Sequence, residues 1–299
     1  MFRMALVIVL LGTLTSAGCV AAVVRFPDPG LETVIREAIG QPNGSIYASS
    51  LKDLSVLDAS DRGITSLEGI EFCVQLVELD LRENSIEDLA PLSLLSKLEI
   101  LTLSSNRITD LSPLAGLCQL AILRLADNAI EDLSPLEAWT DEDAPDLPPI
   151  RELDLGSNAI SDLSPLGGLI HLQKLVLSDN VVENLSPLAG LTDLASLNLA
   201  NNEISNVQAL EGLTKMKVLV LDGNAIEDIS SLAGLIDLFG LWINDNQITD
   251  LQSLVDNPGI GYMDRVYVCG NPLDLSHGSA AEAAINTLTL RGVYVYECP

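Results

Sequence analysis

LVELDLRENSIEDLAPLSLL, residues 76–95, holds the pattern from which the rest of the chain is read. Aliphatic residues stand at Leu76, Leu79, Leu81, Ile86, Leu89, Leu92 and Leu95, and Asn84 sits between the two halves. In the opening LxxLxL the fourth and sixth residues of a short strand point to one side and their neighbours to the other. The second half then returns nearly unchanged: ITDLSPLAGL at 108–117, IEDLSPLEAW at 130–139, ISDLSPLGGL at 160–169 and VENLSPLAGL at 182–191. One catalytic constellation is enough for one site, whereas a phrase rewritten at a fixed interval describes a scaffold.

The heads of the units are Leu54, Leu76, Leu98, Leu120, Ile150, Leu172, Leu194, Met216, Leu238 and Met263. They are 22 residues apart except for an eight-residue surplus before Ile150 and a three-residue surplus before Met263. Repetition at this interval with the form LxxLxLxxN is the signature of a leucine-rich repeat solenoid. The expected architecture is an α/β solenoid: a curved right-handed horseshoe of about ten repeats with a parallel concave sheet, closed by a helical N-terminal cap and a helix-plus-strand C-terminal cap.

Each column has a physical task. Asn84, Asn106, Asn128, Asn158, Asn180, Asn202, Asn224, Asn246 and Asn271 fall where the chain leaves the strand, and an amide there both donates to and accepts from backbone groups. They read as a structural ladder rather than a row of ligand-binding amides. Ser-Pro suits the start of a helical turn, with serine as cap and proline as first residue. Asp88, Asp110, Asp132, Asp162, Asp228 and Asp250 are positioned to accept from turn N–H groups. A calcium column is the competing reading, weakened by Asn184 and Asn206 at the same position.

Exposed solenoid ends need closing units. FPDPGLETVIREAIG, residues 26–40, offers Asp28 as cap, Pro29 as first helical residue and Gly40 as stop, with Leu31, Val34, Ile35, Ala38 and Ile39 on one face. Ser279 and Glu282 suit a capping box opening a helix to about Arg291, and VYVYEC, from Val293 to Cys298, reads as a closing strand. These caps, LDASDRGITSLEGIEFC at 57–73 and the recurring NxIxDLSPLxxL resemble internalin-type bacterial leucine-rich repeat proteins. The resemblance implies an exported, curved, right-handed solenoid that binds other proteins on its concave strand face. No immunoglobulin-like segment follows the repeats and no LPxTG tail is found, so adhesion to host cells is not implied. The expected division is a signal peptide at 1–18, a short linker and helical cap at 19–53, repeats at 54–273 and a C-terminal cap at 274–299.

MFRMALVIVLLGTLTSAGC, residues 1–19, places Arg3 before an apolar run and small residues, the order of an export signal. Ser16-Ala17-Gly18-Cys19 resembles a lipobox, with serine where leucine is usual; Cys19 is either lipidated or removed by ordinary cleavage nearby. The expected location is the cell envelope through a lipid anchor, or the medium. With 42 acidic against 15 basic residues, a net charge of −27, the chain repels nucleic acid and anionic lipid. A membrane is reached only through the anchor.

Cys73 and Cys118 should stand two strand spacings apart, roughly 10 Å, too far for a disulfide, and read as small buried residues. Cys269 and Cys298, in the last repeat and the closing strand, are expected to pair. His171 and His277 fall outside the strands as solitary exposed residues, and no HExxH, GxSxG or phosphate loop is present. TDEDAPDLPP at 140–149 reads as a solvated loop and Trp139 as core or loop packing. Neither an enzyme nor a cofactor is expected.

The outward strand positions remain. Down the stack the fifth position reads Asp58, Asp80, Thr102, Arg124, Asp154, Val176, Asn198, Val220, Trp242 and Tyr267, turning from charged to apolar and aromatic, with Phe239 and Val218 placed beside it. Val176 to Tyr267 spans roughly 19 Å at the usual strand spacing, enough for the centre of a protein interface. Exposed aromatic anchors are what binding hot spots favour. The expected site is Trp242, Tyr267, Phe239, Val220 and Val176, with Asn198, Arg124 and Lys174 supplying polar specificity, although Trp242 and Tyr267 packing on each other alone would explain the same letters. The function expected is recognition of a protein partner; a structural envelope spacer without a ligand and a polysaccharide-binding protein are the alternatives.

Overall fold

The computed structural model describes residues 22–139 and 150–297. The signal segment, Cys19, the insertion at 140–149 and Cys298 lie outside the described residues. A two-stranded antiparallel pair, β1 (Val23–Val24) and β2 (Ile46–Tyr47), brackets helix α1 (Pro29–Ile39). Then come ten short strands of one parallel sheet: β3 (Val56–Asp58), β4 (Glu78–Asp80), β5 (Ile100–Thr102), β6 (Ile122–Arg124), β7 (Glu152–Asp154), β8 (Lys174–Val176), β9 (Ser196–Asn198), β10 (Val218–Val220), β11 (Gly240–Trp242) and β12 (Arg265–Tyr267). A further strand, β13 (Tyr294–Tyr296), closes the sheet beside β12. Strand order follows chain order throughout, so each coil stacks on the one before it and the sheet lines the concave face of a curved solenoid.

In the coil quoted above, all seven aliphatic positions from Leu76 to Leu95 are at most 1% exposed. Burying each contributes about 2 kcal/mol. Register repeats one for one across the stack, Leu79 beside Leu101 and Leu219 beside Leu241. It survives the insertion, since Leu123 pairs with Leu153.

The asparagine column is a ladder. Asn106 donates through Nδ2 to the carbonyls of Leu81 and Leu103 at 3.0 Å each, and its Oδ1 accepts from Ile86 N–H of the preceding coil. Asn246, 1% exposed, does the same with Leu221, Ile243 and Ile226. The residue just before each of these asparagines takes a left-handed backbone, as at Asp127, Asp179 and Asn201, with glycine at 223 and 270. Asp, Asn and Gly tolerate that region best.

Serine is not the cap of the outer turns. Ser112 is itself the first residue of a 3₁₀ turn, Ser112–Leu114, and Pro113 the second. The cap is the aspartate two residues earlier: Asp110 accepts from Ser112 N–H at 2.8 Å, and Asp88, Asp132, Asp162, Asp228 and Asp250 repeat the contact. Asn184 and Asn206 accept in the same way, which explains why either residue type serves. Among the described residues no cluster of His, Cys, Asp or Glu is placed to hold a metal ion.

At the N-terminal end Asp28 caps α1, accepting from Leu31 N–H at 3.1 Å, and Gly40 ends the helix in a left-handed conformation. Its second oxygen accepts from Thr65 N–H, the Thr65 hydroxyl and Ser66 N–H in the first coil. Leu31, Val34 and Ile35 are buried and Ile39 packs against the core, whereas Ala38, expected on the same face, is exposed in the last turn. At the other end helix α2 (Gln252–Asp256) replaces the last outer turn, and helix α3 (Ala280–Leu290) packs against it. Ser279 caps α3 through Glu282 N–H, but Glu282 reaches back to Gly278 N–H, one residue before the position a standard capping box uses.

Two core expectations change. Met263 does not fill the head position: it is 57% exposed with a left-handed backbone, and Ile260, at the regular 22-residue step from Leu238, is buried instead. The three surplus residues therefore form a surface loop before β12. Cys73 is buried, which pushes its thiol up to about 12, but Cys118 is only half-buried because it falls one position past the leucine column. Trp139 packs against the core, as expected.

Asn246→Ala should cost about 3 kcal/mol in urea unfolding, because it leaves several buried backbone groups unpaired, whereas the exposed Asn184→Ala should cost about 1 kcal/mol or less. Equal losses would remove the ladder from its structural role. Burial pushes the Asp28 carboxyl up, but the N–H groups of Thr65, Leu31 and Ser66 outweigh it and hold the group below its ordinary value. A depressed folded value stabilises above the ordinary aspartate range and loses that stability as pH falls through the depressed one. The stability gap between wild type and Asp28→Asn should accordingly shrink on acidification through that window; a gap independent of pH would contradict it.

Candidate binding face

Each three-residue strand shows its first and third side chains to the concave face. The third-residue row is the column expected from the sequence, and β13 lengthens it, since Tyr267 is in register with Tyr296. Tyr296 was not among the expected site residues. Its signal was the alternation of VYVYEC, which only strand pairing converts into a place in the column.

Trp242, Tyr267 and Tyr296 form one aromatic ladder. The Trp242 and Tyr267 rings lie 5.0 Å apart with 9° between their planes, and Tyr267 and Tyr296 lie 4.3 Å apart with 6°. Ring spacing thus matches strand spacing. Trp242 and Tyr267 do pack on one another, yet both stay half-exposed, and Tyr296 is 41% exposed. The row from Val176 to Tyr296 covers roughly 24 Å.

Gly240 seats the indole. It is the first residue of β11, on the same face as Trp242, and a Cβ there would lie 2.7 Å from indole Cζ3. Any side chain at this position would push the ring off the strand. Gly240, not Phe239, is therefore the register partner of Val218. Phe239 precedes the strand, 49% exposed, at the edge of the face where its carbonyl accepts from Arg265 N–H.

Val176 and Val220 are half-buried on β8 and β10, flanking Asn198 on β9. The expected polar residues are already engaged. Arg124 and Lys174 both bind Glu152 between them, at 3.1 and 3.0 Å, and Asn198 accepts from Ala200 N–H. Burial pushes the Glu152 carboxyl up, but Lys174 and Arg124 outweigh it and hold the group below its ordinary range. Glu152, missed in the sequence, organises the middle of the face. Asp58, Asp80 and Asp154 likewise accept from the N–H two residues on, closing the strand ends.

Away from the face, His171 is not solitary: it meets Asp193 at 3.3 Å, which also binds Lys215 at 2.6 Å. His277 lies 3.5 Å from Glu282 in the C-terminal cap. Cys269 is disulfide-bonded, and its expected partner Cys298 lies outside the described residues. Among the described residues no helix is long and apolar enough to cross a membrane.

This stack of coils defines a leucine-rich repeat protein, and the comparisons agree. A family model described as "Leucine Rich repeats (2 copies)" matches residues 96–138, 150–190 and 192–234. Internalin C2 from Listeria monocytogenes is 32% identical, over 83% of this chain and 94% of that one, with a TM-score of 0.58. A second internalin (inlF) from the same organism is 26% identical over 92% of this chain and 91% of its own, with a TM-score of 0.62. The ectodomain of the Arabidopsis thaliana membrane receptor kinase GASSHO1/SCHENGEN3, solved in complex with Casparian strip integrity factor 2, is 26% identical over 73% of this chain and 27% of that one, with a TM-score of 0.60. A search of curated proteins returns no match. The chain belongs to the internalin-type leucine-rich repeat proteins.

Gly240→Ala should displace the Trp242 ring without unfolding the coil, seen as altered near-ultraviolet circular dichroism and indole fluorescence at unchanged far-ultraviolet signal. An unchanged indole environment would show that the glycine does not seat the ring.

Proposed function

We propose that this chain is an exported, envelope-associated protein that binds another protein through the C-terminal half of its concave face. Trp242, Tyr267 and Tyr296 are the anchors, with Phe239, Val220 and Val176 around them and Asn198, Arg124 and Lys174 supplying polar specificity. The observation that carries this reading is the half-exposed aromatic ladder, which the solenoid core does not need. Preformed rings on a hydrogen-bonded sheet lose little entropy on binding. Aromatic residues at the centre of an apolar patch carry most of the energy of typical interfaces.

The same ladder favours a protein over a polysaccharide. Sugars lie flat on open ring faces, whereas Tyr267 has Trp242 on one face and Tyr296 on the other. Beyond one indole face turned toward the valines of β10, the ladder offers edges, hydroxyls and the indole N–H, a surface suited to the mixed apolar and polar contacts of a protein. That leucine-rich repeats serve this purpose is supported by the receptor ectodomain solved with its bound factor.

The test is capture from the native cell envelope by wild type and by the Trp242→Ala, Tyr267→Ala double variant, compared by quantitative mass spectrometry. Losing both anchors should reduce recovery of the specific partner at least tenfold, as ~2 kcal/mol per hot-spot residue implies. Recovery equal to wild type would overturn the site. Intact mass of the mature protein reads the N-terminus separately: a diacylglycerol adduct on Cys19 would mean a lipid anchor, and an unmodified chain beginning nearby would mean plain signal cleavage.

A further inference from the structure

Stacking in the ladder is one-sided. Tyr267 covers one face of the Trp242 indole at 5.0 Å, so the other face looks back along the sheet toward β10. What lies there is low. Val218 and Val220, in register with Gly240 and Trp242, are half-buried and far smaller than the ring. The indole stands as a wall at the edge of an aliphatic floor, held there by the missing side chain of Gly240.

At the end of that floor, two residues beyond Val220, is Asp222. Its Oδ1 accepts from Asn244 N–H at 2.7 Å; burial pushes the carboxyl up, outweighing that bond and a second one from the Asn244 side chain, and Asp245 adds to the rise. Among the described residues no cation pairs with it. Two other carboxylates of the concave face are paired, Glu152 with Arg124 and Lys174 and Asp80 with Arg82. Asp222 is a half-buried carboxylate without a cation at the end of the floor, level with Asn244, while the indole leans the other way over Gly240, in a chain whose net charge is −27.

We infer that this corner receives a lysine or arginine side chain of the protein partner, laid across Val218, Val220 and the free face of Trp242, with its charged head reaching Asp222. The inference rests on the concave face being the binding surface. The aliphatic stem of a lysine or arginine packs on the valines and the indole face while its head stays at the carboxylate. Asp222 lies ~7 Å along the strand from Val220, within the length of an extended arginine. An aliphatic side chain would fill the floor but leave the carboxylate without a counter-charge. The field of the whole chain draws basic partners in.

The probe is a blocked Gly-Arg-Gly-Arg-Gly peptide, with its Gly-Glu-Gly-Glu-Gly counterpart as control, followed by the indole N–H resonance of Trp242, which Trp242→Phe identifies. The arginine peptide should shift the Trp242 signal saturably and leave that of Trp139 in place. Asp222→Asn keeps the acceptor for Asn244 and so the fold; it should weaken binding about tenfold, as loss of a charge partner implies. Glu227→Gln, on an outer turn, should leave it unchanged. Equal weakening by both variants, or an equal shift with the glutamate peptide, would overturn the inference. In the envelope capture, loss with the aromatic double variant but full recovery with Asp222→Asn would retain the concave-face reading and discard the cation corner. Full recovery with both would discard the two together.

Discussion

Every coil of this solenoid turns its backbone through the same buried corner, and the peptide groups at that corner have no strand partner. From the second coil on, where the first has Arg62, one asparagine per coil supplies what they lack, donating to carbonyls of its own and the preceding coil and accepting an N–H from the preceding one, as at Asn106 and Asn246. An unmet buried peptide group costs ~1–3 kcal/mol. Aspartate lacks the donors and serine has one. The bonds cross between coils, so the column also sets the stacking: from it follow the strand register, the two outward rows and the ladder at their end.

That constraint explains what was legible in the letters. Asparagine and leucine columns serve the interior, where a side chain has one workable chemistry, and so the period, the strands and the helical start at Asp28 and Pro29 could be read directly. What the sequence did not disclose depends on pairing or on competition between equivalent residues. Ile260 and Met263 are both apolar and three apart, and only packing decides that Ile260 enters the core. Tyr296 lies outside the repeat period, and its place in the ladder exists only because β13 adds to β12. Serine and aspartate both cap helices, and the turn geometry selects the aspartate two residues earlier. Gly240 reads as a gap in a column until the indole is seen lying over it.

The concave face is built in zones. Aspartates close the strand ends in the N-terminal half by accepting from their own backbone. In the middle Glu152 draws Arg124 and Lys174 together, so charges suited to recognition arrive already ordered, a state that lowers the entropy a partner must overcome. The C-terminal zone combines a ring ladder, an aliphatic floor and an uncompensated carboxylate. These zones differ in chemistry while sharing one backbone, which is what a repeat scaffold permits: the leucines hold the curve and the letters between them are free to vary.

Hydroxyl-radical footprinting in the presence of native envelope extract tests the assignment of this face most directly. Trp242, Tyr267 and Tyr296 should lose reactivity when the extract is added, while Tyr47 and Phe72, 39% and 43% exposed and far from the ladder in the stack, keep theirs. Protection of Tyr47 or Phe72 with the ladder still fully reactive would contradict the account and move the binding surface elsewhere on the solenoid.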